Sequence, residues 1–155
     1  MPKITVTSAL PDPQAVVVAP LHTVLSGYAE RADFALTVSL GVGGSALGVP
    51  VRVDVLGRDA QGASLAMHAR KRTDWFPVFN GTIRVEPHGP MESRLYFAGE
   101  YEVPLGAVGL IVNRRVLNGA AERSLRAFAE RLRSDVIDEV RRSELDVRPH
   151  ALDRA

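Results

Sequence analysis

Cysteine is missing from all 155 residues, which excludes disulfides, thiolate nucleophiles and cysteine-ligated metals. An excess of either charge is missing too. The formal net charge of +1 gives no global pull toward nucleic acid or an anionic membrane. No stretch reaches the roughly 20 apolar residues of a membrane span, so none is expected. The amino terminus, Met1 to Val6, lacks the apolar run of a signal peptide, which makes the cytoplasm the expected compartment. Lysine is scarce, occurring only as Lys3 and Lys71. His22, His68, His88 and His150 are scattered, with no pair at metal-ligand spacing, and no metal is expected. Gly41-Val42-Gly43-Gly44-Ser45-Ala46 mimics a dinucleotide fingerprint, but the alternating Val51, Val53 and Val55 follow it. A phosphate-holding helix amino terminus is needed there instead. Gly43 to Leu47 also lacks the closing glycine of a nucleophile elbow. No cofactor is expected.

What the chain does have is alternation. Phe34, Leu36, Val38, Leu40 and Val42 alternate with small or polar residues, the period of a half-buried strand. The same test gives strands at about Val49 to Gly57, Ala63 to Thr73, Val78 to Glu86 and Ser93 to Val103, with Lys3 to Ala9 as a short edge strand. Turn-forming residues separate them, as in Gly43-Gly44-Ser45 and His88-Gly89-Pro90. Asn80-Gly81 is a hairpin cue, yet Phe79, Gly81, Ile83 and Val85 keep one continuous alternation, which predicts an unbroken strand. Gln14 to Ala32 reads as helix: Leu21, Val24, Leu25 and Tyr28 have helical spacing, Asp12-Pro13 supplies a start, and Pro20 marks a break or bend. Ala121, Leu125, Phe128, Leu132 and Val136 form the apolar stripe of a long final helix. Glu122, Arg126, Glu130, Arg131, Arg133 and Asp138 take its other side. The tail from Ser143 onward, with Pro149, is expected to fray. These elements predict one α+β domain over residues 1–142, a curved antiparallel sheet of about six strands gripping the C-terminal helix.

Turns placed midway between strands align Leu40, Val51, Ala69, Gly81 and Gly99 in one row of the concave face. Three of these five are Ala or Gly, between bulkier rows that include Phe97 on one side and Lys71, Phe79 and Tyr101 on the other. The pattern predicts a groove under the helix, blocked by Gly99→Leu at little cost in stability. Sheet curvature and close packing account for the same glycines without a groove. Lys71, beside Tyr101 and near Trp75, is the one charge expected on the middle of that face. It would read a carboxylate, phenolate or similar polar head, or else snorkel to water. Val112, ahead of the helix, completes the candidate ligand contacts. No catalytic residue is assigned.

Trp75-Phe76-Pro77-Val78-Phe79-Asn80-Gly81-Thr82-Ile83-Arg84-Val85-Glu86-Pro87, the hairpin to Tyr101, the Pro104-Leu105-Gly106 junction and the long final helix resemble bacterial members of the START-like, polyketide-cyclase-like (SRPBCC) superfamily. The resemblance runs from about Phe34 to Arg142. It implies a helix-grip fold with a cavity between sheet and helix, here with one strand fewer than the usual seven. It does not imply one activity, since the superfamily holds carriers, cyclases and interaction modules. The expected function is non-catalytic binding or transport of a small hydrophobic or amphipathic molecule, with no nucleic-acid partner and a homodimer left open. The alternatives are a polyketide cyclase or dehydratase using Lys71 and Tyr101, and a protein-interaction module with a filled cavity.

Overall fold

The computed structural model describes residues 2–39, 46–70, 77–102 and 114–152. In chain order they form β1 (Lys3–Leu10), α1 (Gln14–Glu30), β2 (Ala35–Ser39), β3 (Ala46–Arg58), β4 (Gly62–Ala69), β5 (Val78–Pro87), β6 (Ser93–Glu102) and α2 (Arg114–Leu152). The six strands make one antiparallel sheet in the order β1-β6-β5-β4-β3-β2. β5 is continuous through Asn80-Gly81, because its alternating Phe79, Ile83 and Val85 all enter the core.

Helix wins over the β-favouring Val16 to Val18 because Val17, Leu21, Leu25 and Tyr28 lie on one buried stripe. Pro20 does not break α1. It lies inside the helix with its ring buried, so core packing offsets the backbone hydrogen bond that a proline cannot make. The cap is Pro13, extended at φ −69° and ψ 154°, one residue later than the Asp12 start read from sequence. Gln14 Nε2 donates to Val85 O at 2.7 Å, and the His22 ring meets Gly62 O at 2.8 Å. These contacts seat α1 against β4 and β5. Between β3 and β4, Asp59 Oδ1 accepts from the backbone N–H of Gln61 at 2.8 Å and of Gly62 at 2.9 Å, fixing that turn.

α2 shows how far the sheet is curled. The Arg131 guanidinium donates to Ala35 O of β2 at 2.5 Å, and Arg133 Nε donates to Ala9 O of β1 at 2.7 Å. Those strands are opposite edges of the sheet. If the sheet were flat, five strand spacings would part them by about 24 Å, twice the roughly 10–12 Å width of a helix. One helix can hold both edges only because the sheet wraps around it. The two arginines also satisfy edge carbonyls that would otherwise template pairing with another chain. Arg131→Met is expected to cost about 1.5–3 kcal/mol, since a half-buried charged hydrogen bond is lost together with the guanidinium stacked 4.6 Å over the Phe34 ring. Arg133→Met, at a more solvated contact, should cost under about 1 kcal/mol. Chemical denaturation of the two variants checks the ranking.

All five apolar residues expected on α2 are buried, joined by Ala129 and Val140. Phe128 is the hub: its ring lies 5.8 Å from Phe97, 6.4 Å from Phe34 and 6.0 Å from Tyr28. The helix continues from Ser143 through Leu152, where a frayed tail was expected, with residues 141–146 exposed. At 39 residues it is about 58 Å long, against about 33 Å for the ten residues of β6. The stretch past Val140 therefore overhangs the sheet.

Tyr28 ties α1 to α2 by donating its hydroxyl to Asp135 Oδ2. Burial first, then the hydrogen bond to Asp135 and that carboxylate's charge, raise the phenol well above its ordinary value of 10.0. Above about pH 10 the unfolded chain releases this proton while the folded one keeps it, so stability falls with rising pH. The slope approaches about 1.4 kcal/mol per pH unit for each such group. Urea midpoints across this range should fall less steeply in Tyr28→Phe than in the parent.

Candidate functional site

The concave face carries the residues singled out from sequence, in a different arrangement. Val51 pairs with Ala69, Phe79 with Tyr101 and Gly81 with Gly99, each as expected. The single row linking them does not form. Gly81 lies opposite Leu65, and Phe79 opposite Met67, so Ala69 stands four residues, about 13 Å, farther along. β2 is displaced as well: Leu36 pairs with Val49, and Val51 N bonds to Phe34 O at 2.9 Å. Both slips are even numbers of residues. Burial of one face fixes parity, since an odd slip would turn every apolar side chain outward, but it does not fix distance along the strand.

The ground over the glycine pair is filled. A Cβ on Gly81 would stand 2.5 Å from Phe79 Cζ and 2.3 Å from Ala98 O. On Gly99 it would stand 2.7 Å from Phe79 Cζ and 2.3 Å from Asn80 O. The Phe79 ring, stacked on Phe97 at a centroid distance of 4.6 Å and 15° between planes, occupies the volume that the small residues had suggested as a groove. The glycines serve close packing. The hollow beside them, about 350 Å³, opens on the convex side among Thr5, Thr82, Ala98 and Glu100. That face also carries the expected charges, with Arg52 Nε 3.0 Å from Asp54 and the His68 ring 3.9 Å from it.

Beyond the aromatic plug, toward the end where β4 and β6 lead out of the sheet, the concave face carries Val51, Ala69, Met67 and Tyr101, all buried. Leu40, Lys71, Trp75 and Val112 lie outside the described residues. Tyr101 is 1% exposed. Among the described residues no group takes its hydroxyl in a hydrogen bond, whereas Ser8 bonds Glu130, Ser93 bonds Asp12 O and Tyr28 bonds Asp135. No sealed side-chain nitrogen or oxygen is left unpaired among the described residues. Burial, then the negative charge of Glu122 on α2, raises the phenol above its usual range. Tyr101 is therefore a neutral hydrogen-bond donor at ordinary pH. Sequence reading put Glu122 on the solvated side of the helix, and only the packing of α2 brings its charge within reach. Among the described residues no three His, Asp or Glu side chains are grouped to hold a metal ion.

A protein of Thermus thermophilus matches with a TM-score of 0.53 at 14% identity, covering 88% of this chain and 98% of that one. A conserved protein from Geobacillus kaustophilus gives 0.53 at 13% identity, covering 88% and 96%. At such identities the likeness is one of fold. Six antiparallel strands curled around a clasped C-terminal helix, over nearly the whole length of both neighbours, decide what that fold is. It is the START-like helix grip. A protein described as a START superfamily member, from Mycobacterium smegmatis, gives a TM-score of 0.47 at 14% identity, covering 86% and 96%. No protein-family model matches the chain, and no curated protein matches it significantly in sequence. Between sheet and helix the interior of this chain is taken by Phe79, Phe97 and Phe128, and Tyr101 stands beyond them. No described helix is long and apolar enough to cross a membrane.

Proposed function

We propose that this protein binds a small hydrophobic or amphipathic molecule in the cytoplasm, between the curved sheet and α2 at the Tyr101 end, without catalysing its conversion. Residues 1–142 are the binding domain. The observation that carries the reading is Tyr101: an almost wholly buried side chain whose hydroxyl has no hydrogen-bond partner among the described residues, at the end of an otherwise apolar row. Its proton can be donated to a bound ligand or to water. Leu40, Lys71, Trp75 and Val112 belong to the same proposed site by their places in the chain. The catalytic alternative has less support, since a cyclase needs a proton acceptor at the reacting carbon. The carboxylate within electrostatic reach of Tyr101, Glu122, is exposed. Native mass spectrometry of the purified protein tests the proposal, with Trp75, the only tryptophan, as a second reporter. The expected result is a co-purified or added apolar molecule that leaves on mild activation and alters tryptophan emission. A mass equal to the bare chain, with no emission change under any apolar probe, would favour the interaction module with a filled interior.

A further inference from the structure

A hollow of about 190 Å³ on the convex face is lined by Asp59 and Gln61 of the β3–β4 turn, Ser64 of β4, and Thr82 and Arg84 of β5. The backbone places each of them. Ser64 stands directly opposite Thr82, and Arg84 stands opposite Gly62, which has no side chain to fill the place beside it. Ser64, Thr82 and Arg84 alternate with the buried Ala63, Leu65, Ile83 and Val85, so they lie on the side of the sheet away from α2. Asp59 is fixed by the backbone N–H groups of Gln61 and Gly62, which its Oδ1 accepts. Those two bonds, that of Gln61 first, hold its carboxyl below the usual carboxylate range.

The polar lining thus joins one cation and one anion to two hydroxyls and an amide. Asp59 and Arg84 face the same hollow, yet neither is ion-paired among the described residues. The side chains of Gln61, Ser64, Thr82 and Arg84 make no hydrogen bond to a described residue either. A singly charged molecule would be attracted by one end of this lining and repelled by the other. A molecule carrying both signs would satisfy both, and a carboxylate matches the fork of an arginine. At about 30 Å³ for a water in the liquid, the hollow has room for roughly six heavy atoms, the size of a small amino acid. We propose that it binds a zwitterionic α-amino acid, with the carboxylate on Arg84 and the Ser64 and Thr82 hydroxyls and the ammonium on Asp59.

Titration of the full chain with L-alanine, propionate and ethylamine, followed in nitrogen-15 amide spectra, tests this. Propionate lacks the ammonium of alanine, and ethylamine lacks its carboxylate. Alanine should shift the Gln61 side-chain amide and the Ser64 and Thr82 backbone amides saturably, binding about fivefold or more tightly than either singly charged probe, the worth of one exposed charge contact. Arg84→Gln and Asp59→Asn should each weaken alanine by about the same factor. Asparagine keeps the oxygen that accepts both turn N–H groups, and a thermal melt checks that both variants fold. Should Asp59→Asn fail to fold, Arg84→Gln still decides, since it gives up no hydrogen bond or ion pair to a described residue. Equal binding of the three probes, shifts that do not saturate, saturable shifts away from these residues, or alanine binding unmoved by Arg84→Gln would overturn the proposal. So would a loss in Arg84→Gln with none in a folded Asp59→Asn, which would make the hollow a site for anions alone.

Discussion

Gly99→Leu is expected to unfold the protein or leave it barely stable. Inserting bulk into a packed core usually costs about 1–3 kcal/mol, and this site lies at or beyond the upper end. The first added carbon would stand 2.3 Å from Asn80 O, a backbone atom of the neighbouring strand, as well as 2.7 Å from the Phe79 ring. A ring can rotate away, but a carbonyl held in a ladder cannot move without breaking the β5–β6 pairing. Against a total stability of about 5–15 kcal/mol the loss is large. Adding Phe79→Ala separates the two obstacles, because removing the ring should rescue only part of the stability. A Gly99→Leu protein with a wild-type urea midpoint would restore the open groove that the sequence had suggested.

Phe128→Ala should cost about 3–5 kcal/mol, the range for deleting a fully buried aromatic ring. Its ring is wholly buried and meets α1, the residue that leads into β2, and β6, through Tyr28, Phe34 and Phe97. Without it the helix keeps its arginine contacts to the sheet edges but loses the wedge that fills the curl. The denaturation midpoint should fall with little change in slope, the signature of lost stability in an otherwise intact two-state fold. A loss below about 1 kcal/mol would mean that α2 is not seated on the sheet as described.

Much of the architecture was legible because burial writes itself into alternation. β5 and β6 were registered correctly: their short turn holds Gly89 at φ 82°, so its midpoint is fixed by a residue that the sequence displays. The eight-residue connection from Arg70 to Pro77 has no such marker, and the β4–β5 register slipped by four. The glycine pair shows a second limit. Small residues opposite each other announce a close approach, yet only coordinates show whether a groove or the Phe79 ring fills the space. Arg131 and Arg133 were assigned to solvent on helical periodicity alone. Their carbonyl partners lie on strands separated from them by about a hundred residues of chain, and the contact exists only after the sheet has curled.

The ligand site itself is tested most directly by carbon-13 methyl spectra of the chain's methionines during a titration with methyl laurate. Met67 is fully buried beside Phe79, which stands between it and Tyr101 in the sheet. Met91 is 69% exposed near the β5–β6 turn, at the opposite end of the sheet. Ligand bound at the Tyr101 end should shift the Met67 methyl saturably and leave Met91 where it is. Saturable binding that moves Met91 and not Met67 would place the ligand elsewhere and contradict the proposed site.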